Sequence, residues 1–365
     1  MTRIPSLDGI RAIAVTLVLA CHYGNDFGIP DFFNVGDLGV RIFFVISGFL
    51  ITNLLLKELN RTGGIDLKRF YFRRTLRIFP AFYFYLGVML LLSALELNHL
   101  TFRGALPALT YTSNYWNEWK FSGYVTSHTW SLATEEQFYL IWPVVLCVVG
   151  RSCALWVLLF AVVTSPILRG MVYFDDRYST AGLGAFHVNM DHIGMGCLLA
   201  IAREKLHLIP AYRRMLDSAA FIFCPIFVVF ATCQGNHPSI HRTALLFLIN
   251  LSVALCIDWA VTHYKGRVGR KLNSRPMVAI GALSYSIYLW QQPFTHLWNK
   301  NSTLLLTGPW QALSNPLVSL PCIFVCAGVS YFLIERPSLR LRERIEARQP
   351  PEALGMTPNT TSTLV

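Results

Sequence analysis

Ile10-Arg-Ala-Ile-Ala-Val-Thr-Leu-Val-Leu-Ala-Cys-His22 is an apolar run bounded by two ionisable side chains, and its reading decides the fold. At ~1.5 Å of rise per residue, a helix carries Arg11 and His22 roughly 16 Å apart along its axis, one towards each side of a ~30 Å hydrocarbon slab. Charge inside a bilayer is costly, so both residues are site candidates from the outset: a permanent cation and a group that titrates near neutrality.

The remainder of the chain has the same character. Of 365 residues 54% are hydrophobic and 14% charged, and the mean hydropathy is +0.45, which excludes an ordinary soluble domain. The expected fold is all-α, a polytopic integral membrane helical bundle. Segments of spanning length fall at 10–26, 36–56, 78–96, 132–150, 153–169, 186–202, 217–233, 243–261, 277–298 and 313–334, which makes about ten transmembrane helices. With both termini cytoplasmic, 23 of the 31 lysines and arginines fall on the inner side, in the pattern of the positive-inside rule. A bacterial inner (cytoplasmic) membrane is the expected location. The net charge of +11 follows from this topology; no basic soluble surface with base-reading elements is visible, so no nucleic-acid partner is expected.

Residues 1–348 are read as one membrane domain and 349–365 as a disordered tail, too polar and too short to fold. Val18-Leu19-Ala20-Cys21 loosely matches a lipoprotein cleavage box, but Asp8 and Arg11 interrupt the basic leader such a signal needs, so the segment is expected to stay as a span. The nine cysteines show no disulfide or zinc spacing and read as packing residues, and no metal is expected. Oligomeric state leaves no mark on the sequence.

Polar residues within the spans sort by depth. The inner group is cationic: Arg11 and the run Lys68-Arg69-Phe-Tyr-Phe-Arg73-Arg74-Thr-Leu-Arg77-Ile-Phe-Pro80. Arg73 and Arg77, four apart, share a helix face, as do Arg74 and Arg77. Guanidinium forks on one face suit phosphate or pyrophosphate, whereas Lys57, Arg61 and Lys68 read as ordinary anchors at an anionic membrane surface. The outer group comprises His22, Arg41 and Ser127-His-Thr-Trp130-Ser131-Leu-Ala-Thr-Glu135-Glu136-Gln137-Phe138-Tyr139. With the fourth span running inward from residue 132, Glu135 is expected about one turn below the outer surface, at the depth of His22. A carboxylate bonded to one imidazole nitrogen would raise the basicity of the other, as a general base for a hydroxyl requires. The plainer alternatives are an interhelical hydrogen bond for His22 and snorkelling for Arg41. Asp191 and Glu335 are further buried acids with arginine pairing as their plainer role.

A base at one depth and a phosphate site at the other suit a donor with a charged head and a long thin arm, such as acyl-coenzyme A. Here the chain resembles the membrane acyltransferase-three family, which includes O-antigen, exopolysaccharide and Nod-factor O-acetyltransferases and macrolide acyltransferases. The resemblance rests on Arg11 and His22; Gly39-Val-Arg41 with Phe43-Phe44 and Ser47-Gly48-Phe49; Phe72-Arg73-Arg74 with Arg77 and Pro80; and Trp130-Ser131-Leu with Glu135 and Gln137-Phe138-Tyr139. It extends through Asp191, Gly194 and Gly196, Ser284-Tyr285 with Tyr288-Leu-Trp290, and Ile334-Glu335-Arg-Pro337.

The resemblance implies that His22 is the essential base or acyl relay with Arg11 its companion. It further implies that Arg73, Arg74 and Arg77 take the cytoplasmic acyl donor, expected to be acetyl-coenzyme A, that Glu135 supports the pocket, and that Glu335 is a second functional acid. Arg41, Ser131, Tyr139, Asp191 and Tyr288 are the remaining pocket candidates. Two departures stand out: Gln291 occupies a position where many relatives have histidine, and Ala133-Thr134 replaces the more usual Ser-Val. Some relatives carry a C-terminal extracytoplasmic esterase-like domain; without one, this chain is expected to act alone or with a separate partner. The expected acceptor is a glycan or lipid-linked saccharide. The competing reading is a proton-coupled transporter or flippase using His22, Glu135 and Asp191, against which the lack of an internal repeat counts.

Overall fold

A computed structural model describes residues 4–24, 35–116, 125–174, 184–233, 240–295, 313 and 315–347. The tail after 347 and the stretches bearing Lys120, Arg177 and Lys300 lie outside the described residues. In chain order the helices are α1 (Leu7–Tyr23), α2 (Val35–Thr62), α3 (Leu67–Ala94), α4 (Phe102–Leu109), α5 (Thr129–Phe174), α6 (Phe186–Leu206) and α7 (Pro210–Asp217). They continue as α8 (Phe223–Cys233), α9 (Ile240–Thr262), α10 (Arg267–Leu272), α11 (Arg275–Thr295), α12 (Pro316–Ser330) and α13 (Arg336–Ala347), and no strand occurs among the described residues.

Each segment read as a span coincides with helix. Five helices are by themselves long and apolar enough to cross a membrane, and a sixth span forms if the pair from Pro210 to Cys233, bent by 67°, is taken as one. The shortfall from ten has a physical cause. α1 is only 17 residues long and holds Arg11, α6 carries Asp191 and His192, and α11 carries serines, tyrosines and glutamines turned into the protein. α5 runs unbroken through 46 residues by its hydrogen bonding, about 69 Å and twice a bilayer, but Gly150 (φ 69°, ψ 174°) is non-helical and divides it into two arms. The first arm runs beside α2 in the same direction, Glu135 meeting Ser47 and Trp142 meeting Thr52. The second runs antiparallel to α6, Arg151 bonding the Ile201 carbonyl and Arg169 that of Val188.

α2 is the central post: 72% of its most apolar stretch is buried, against 17–39% for the other four spanning helices. The lipid-facing character of the rest is plain on the second arm of α5, where Trp156, Phe160, Val163 and Ile167 form one exposed stripe at helical spacing. Such a stripe is an aggregation liability in water and the expected outer wall in a bilayer; the protein is a multi-pass membrane protein. All nine cysteines are free thiols.

α2 and α6 approach closely because glycines face backbone from both sides. A Cβ at Gly48 would stand 2.0 Å from the Ile193 carbonyl oxygen, and one at Gly196 would stand 2.0 Å from that of Val45. Gly196→Val is therefore expected to force the pair apart, costing about 1–3 kcal/mol and lowering the thermal midpoint in detergent micelles. Gly328→Ala, at a position with open space around it, is the control expected to leave the midpoint unchanged.

Candidate functional site

α1, α2, α3, the first arm of α5, α11 and α13 enclose a cavity of about 490 Å³. Its cations are Lys57 from α2, Arg73 from α3 and Arg342 from α13 towards one end, and Arg11 from α1 with Arg74 and Arg77 from α3 nearer the middle, beside Glu135; Asp8 also lines it. The other end is closed by Val40, Ser131 and Tyr288. Lys57 and Val40 lie on one helix seventeen residues apart, so the cavity runs roughly 25 Å along α2, most of the thickness of a bilayer core. Leu50, Ile51 and Leu54 make its middle apolar.

Three carboxylates, buried Glu335 and half-buried Glu135 and Glu136, balance the arginines. Glu135 accepts from Ser47 Oγ (2.9 Å) and Tyr139 OH (2.8 Å), and the Arg74 guanidinium lies 3.5 Å above the Tyr139 ring. Glu136 lines the cavity beside it, with Oε1 buried and lacking a hydrogen-bond partner among the described residues, as is Arg74 Nε. Glu335 accepts from Ser286 Oγ (3.1 Å) and lies within electrostatic reach of Arg77 and Arg11. It ends a π-helical turn, Tyr331–Glu335, that Pro337 explains: proline has no N–H to give the carbonyl four residues back and its ring crowds that carbonyl, so the turn widens. At the far end Tyr288 OH is 2.6 Å from Ser131 Oγ, so one hydroxyl donates to the other, and both lie within hydrogen-bonding distance of the His128 carbonyl, to which the other donates.

The expected equal depth of His22 and Glu135 is overturned. A Cβ at Gly36 would touch Cys21 and one at Gly39 would touch Val18, so antiparallel α1 and α2 place His22 level with Gly36. Glu135 is level with Ser47, roughly 16 Å further along and close to the depth of Arg11. The cause lies ahead of α5. Val125, Thr126, His128 and Thr129 are all buried, and Tyr85 OH bonds the Val125 carbonyl, so the chain dives into the bundle before the helix starts. Half-buried His22, in the last turn of α1, is not among the cavity-lining residues; it lies about one turn past Val40, the outermost of these on α2.

Arg41 and Asp191 do not enter the cavity either. They belong to a separate buried network in which Arg41 bridges Asp37 (2.7 Å) and His192. Asp191 accepts from Ser165 (3.1 Å), Asn250 (2.9 Å) and Arg169 and lies 2.6 Å from His192 Nδ1. The network ties α2, α5, α6 and α9. Arg169, counted by sequence as an outer-loop cation, is 8% exposed and is the principal counter-charge of Asp191. Sequence reasoning did not single out Glu136, quoted only within its run, or Arg342, one of the 23 inner-side lysines and arginines. Among the described residues no group of His, Cys, Asp and Glu could hold a metal ion.

Comparison with known proteins agrees with this architecture. A family profile described as an acyltransferase domain matches residues 4–335. The chain is 32% identical over 362 residues to YrhL of Bacillus subtilis, named as a peptidoglycan O-acetyltransferase, covering 92% of this chain and 54% of that protein. It is 31% identical to the peptidoglycan O-acetyltransferase OatA of Listeria monocytogenes (92% and 55%) and 30% identical to the O-acetyltransferase OatA of Staphylococcus aureus (80% and 50%). The chain thus spans about half the length of the curated relatives it matches. No solved structure matches it.

The two polar clusters respond differently to substitution. Asp191→Ala leaves Arg169 buried without its carboxylate and is expected to cost about 3–5 kcal/mol, seen as a large drop in thermal midpoint. Lys57→Ala, at the exposed mouth of the cavity, is expected to leave the midpoint within about 0.5 kcal/mol of the parent's.

Proposed function

The chain belongs to the membrane acyltransferase-three family, and from that premise we propose that it is an O-acyltransferase moving an acetyl group from acetyl-coenzyme A to a hydroxyl of a glycan or lipid-linked saccharide. The observation that carries this reading is the long cavity that gathers Arg73, Arg74, Arg77 and Arg11 between one end and its middle and runs towards His22 at the other end. Phosphate groups of the donor bind the arginine end by charge-assisted, forked hydrogen bonds. The apolar middle takes the thin arm, and the thioester arrives near Val40, Ser131 and Tyr288. The Lys and Arg distribution supports an orientation with the arginine end on the cytoplasmic side of the inner membrane, where a cytoplasmic donor would enter.

His22 supplies the chemistry at the far end. As general base it removes the acceptor's hydroxyl proton while the oxygen attacks the thioester carbonyl; the new C–O bond forms, the C–S bond breaks, and the sulfur leaves as the free thiol once protonated. As relay a ring nitrogen attacks the thioester first, the C–S bond breaks and the protonated thiol leaves; the acceptor oxygen then attacks the acyl-imidazole, the N–C bond breaks, and the hydroxyl proton passes to the freed imidazole. A trapped acyl-imidazole in a single turnover marks the second route, and ternary-complex kinetics mark the first. Glu135, level with Arg11, has a different part: with Ser47, Tyr139 and Arg74 it holds the wall past which the arm lies. Glu335 does the same for Arg77. The names of the relatives make peptidoglycan the first acceptor to try.

Purified protein in detergent tests the reading directly, because an enzyme consumes acetyl-coenzyme A without a closed compartment and a transporter does not. His22→Ala is expected to lower transfer by ~10²–10⁴-fold with normal membrane insertion. Arg73→Ala combined with Arg77→Ala is expected to raise KM for the donor by one to two orders of magnitude, about 1.5–3 kcal/mol. Full activity in both variants would refute the mechanism.

A further inference from the structure

α13 lies beyond the residues that the family profile matches, yet it forms part of the cavity. Beyond the π turn it packs back on α3. Arg342 and Glu346, four apart, share the face it presents there. Arg342 lines the cavity; its side chain is 14% exposed, and its Nε is buried without a hydrogen-bond partner among the described residues. Its acidic neighbour Glu343 stands 3.9 Å off with a 69% exposed side chain, a weak counter-charge. Glu346 pairs with Arg73, one of the arginines at the cavity mouth.

An ordinary inner anchor helix would turn its arginines to lipid headgroups and water. This helix instead turns one arginine into the cavity, short of hydrogen bonds, and sets a carboxylate on another that the cavity needs. We propose that α13 is a wall of the donor site, in which Arg342 binds the donor's phosphate groups directly and Glu346 holds Arg73 until phosphate displaces it. The phosphate then takes over the Arg73 fork, and Glu346 swings out to water, to which its side chain is already 23% exposed. The inference rests on the donor reading given above and assigns that site two residues outside the family's matched region.

The test is binding of coenzyme A to the full chain in detergent, measured by calorimetry on the parent and on variants. Arg342→Gln is expected to weaken binding roughly tenfold, and Arg342→Lys, which keeps the charge and loses the fork, by less. Glu346→Gln is expected to tighten binding about threefold, the worth of a partly exposed ion pair, and a gain of that kind cannot come from misfolding. If Arg342→Gln and Glu346→Gln both bind like the parent while Arg73→Ala with Arg77→Ala loses binding, the role of α13 is refuted and the donor reading stands. If the parent itself does not bind coenzyme A, the donor reading fails and this inference with it.

Discussion

Gathering several half-buried arginines around one cavity in a low-dielectric bundle is the constraint on which the rest of this structure depends. Arg11, Arg74 and Arg77 repel one another, and each charge withdrawn from water costs several kcal/mol unless it is compensated. The bundle compensates with Glu135, Glu136 and Glu335, drawn from two separate helical segments, and each segment must hold its place for the arginines to be tolerated. The break at Gly150 lets the first arm of α5 run parallel to α2. The π turn before Pro337 puts Glu335 near Arg77. Features that look irregular in isolation serve the same electrostatic requirement.

The two polar clusters differ in how far their carboxylates are satisfied, while Arg169 Nη1 and Asn250 Oδ1 in the Asp191 cluster are themselves buried without a hydrogen-bond partner among the described residues. Both oxygens of Asp191 are bonded, to Ser165, Arg169, His192 and Asn250. A carboxylate so enclosed locks helices together and has nothing left to offer a ligand. In the cavity Glu136 Oε1, Arg74 Nε, Ser284 Oγ and Arg342 Nε are buried without hydrogen-bond partners among the described residues. Groups left in that condition cost stability, and a site that binds a polar donor is where such a cost is recovered.

Much of this was legible in the sequence. Hydropathy located the helices, and spacing put Arg73, Arg74 and Arg77 on one face, because both depend on local periodicity alone. Depth was not legible. Glu135 is four residues from the expected start of its helix, but hydropathy says nothing about a buried stretch such as 125–129 that carries the helix start well into the bundle. Pairing was legible only in part: Asp191 needed an arginine, yet Arg169 sits where a span ends and reads as a loop cation until α6 is seen beside it. The polar helices α1, α6 and α11 fall short on apolarity for the same reason that they matter, since their polar residues face the protein interior.

The position of His22 then bears on how the two substrates meet. A base level with Glu135 would sit in the middle of the cavity, where the donor arm excludes a bulky glycan. On the proposed mechanism a base about one turn past Val40 sits instead beyond the far end of the cavity, so donor and acceptor would approach from opposite sides. Arg11 is eleven residues away on the same rigid helix, so a shift of α1 that moved the imidazole would also move one of the cations that line the cavity. A helix that short and that polar is a poor membrane anchor, and it is held by packing against α2 and α11. Its registry is therefore set by the protein rather than by lipid, as the proposed base, which must stay aligned with the far end of the cavity, requires.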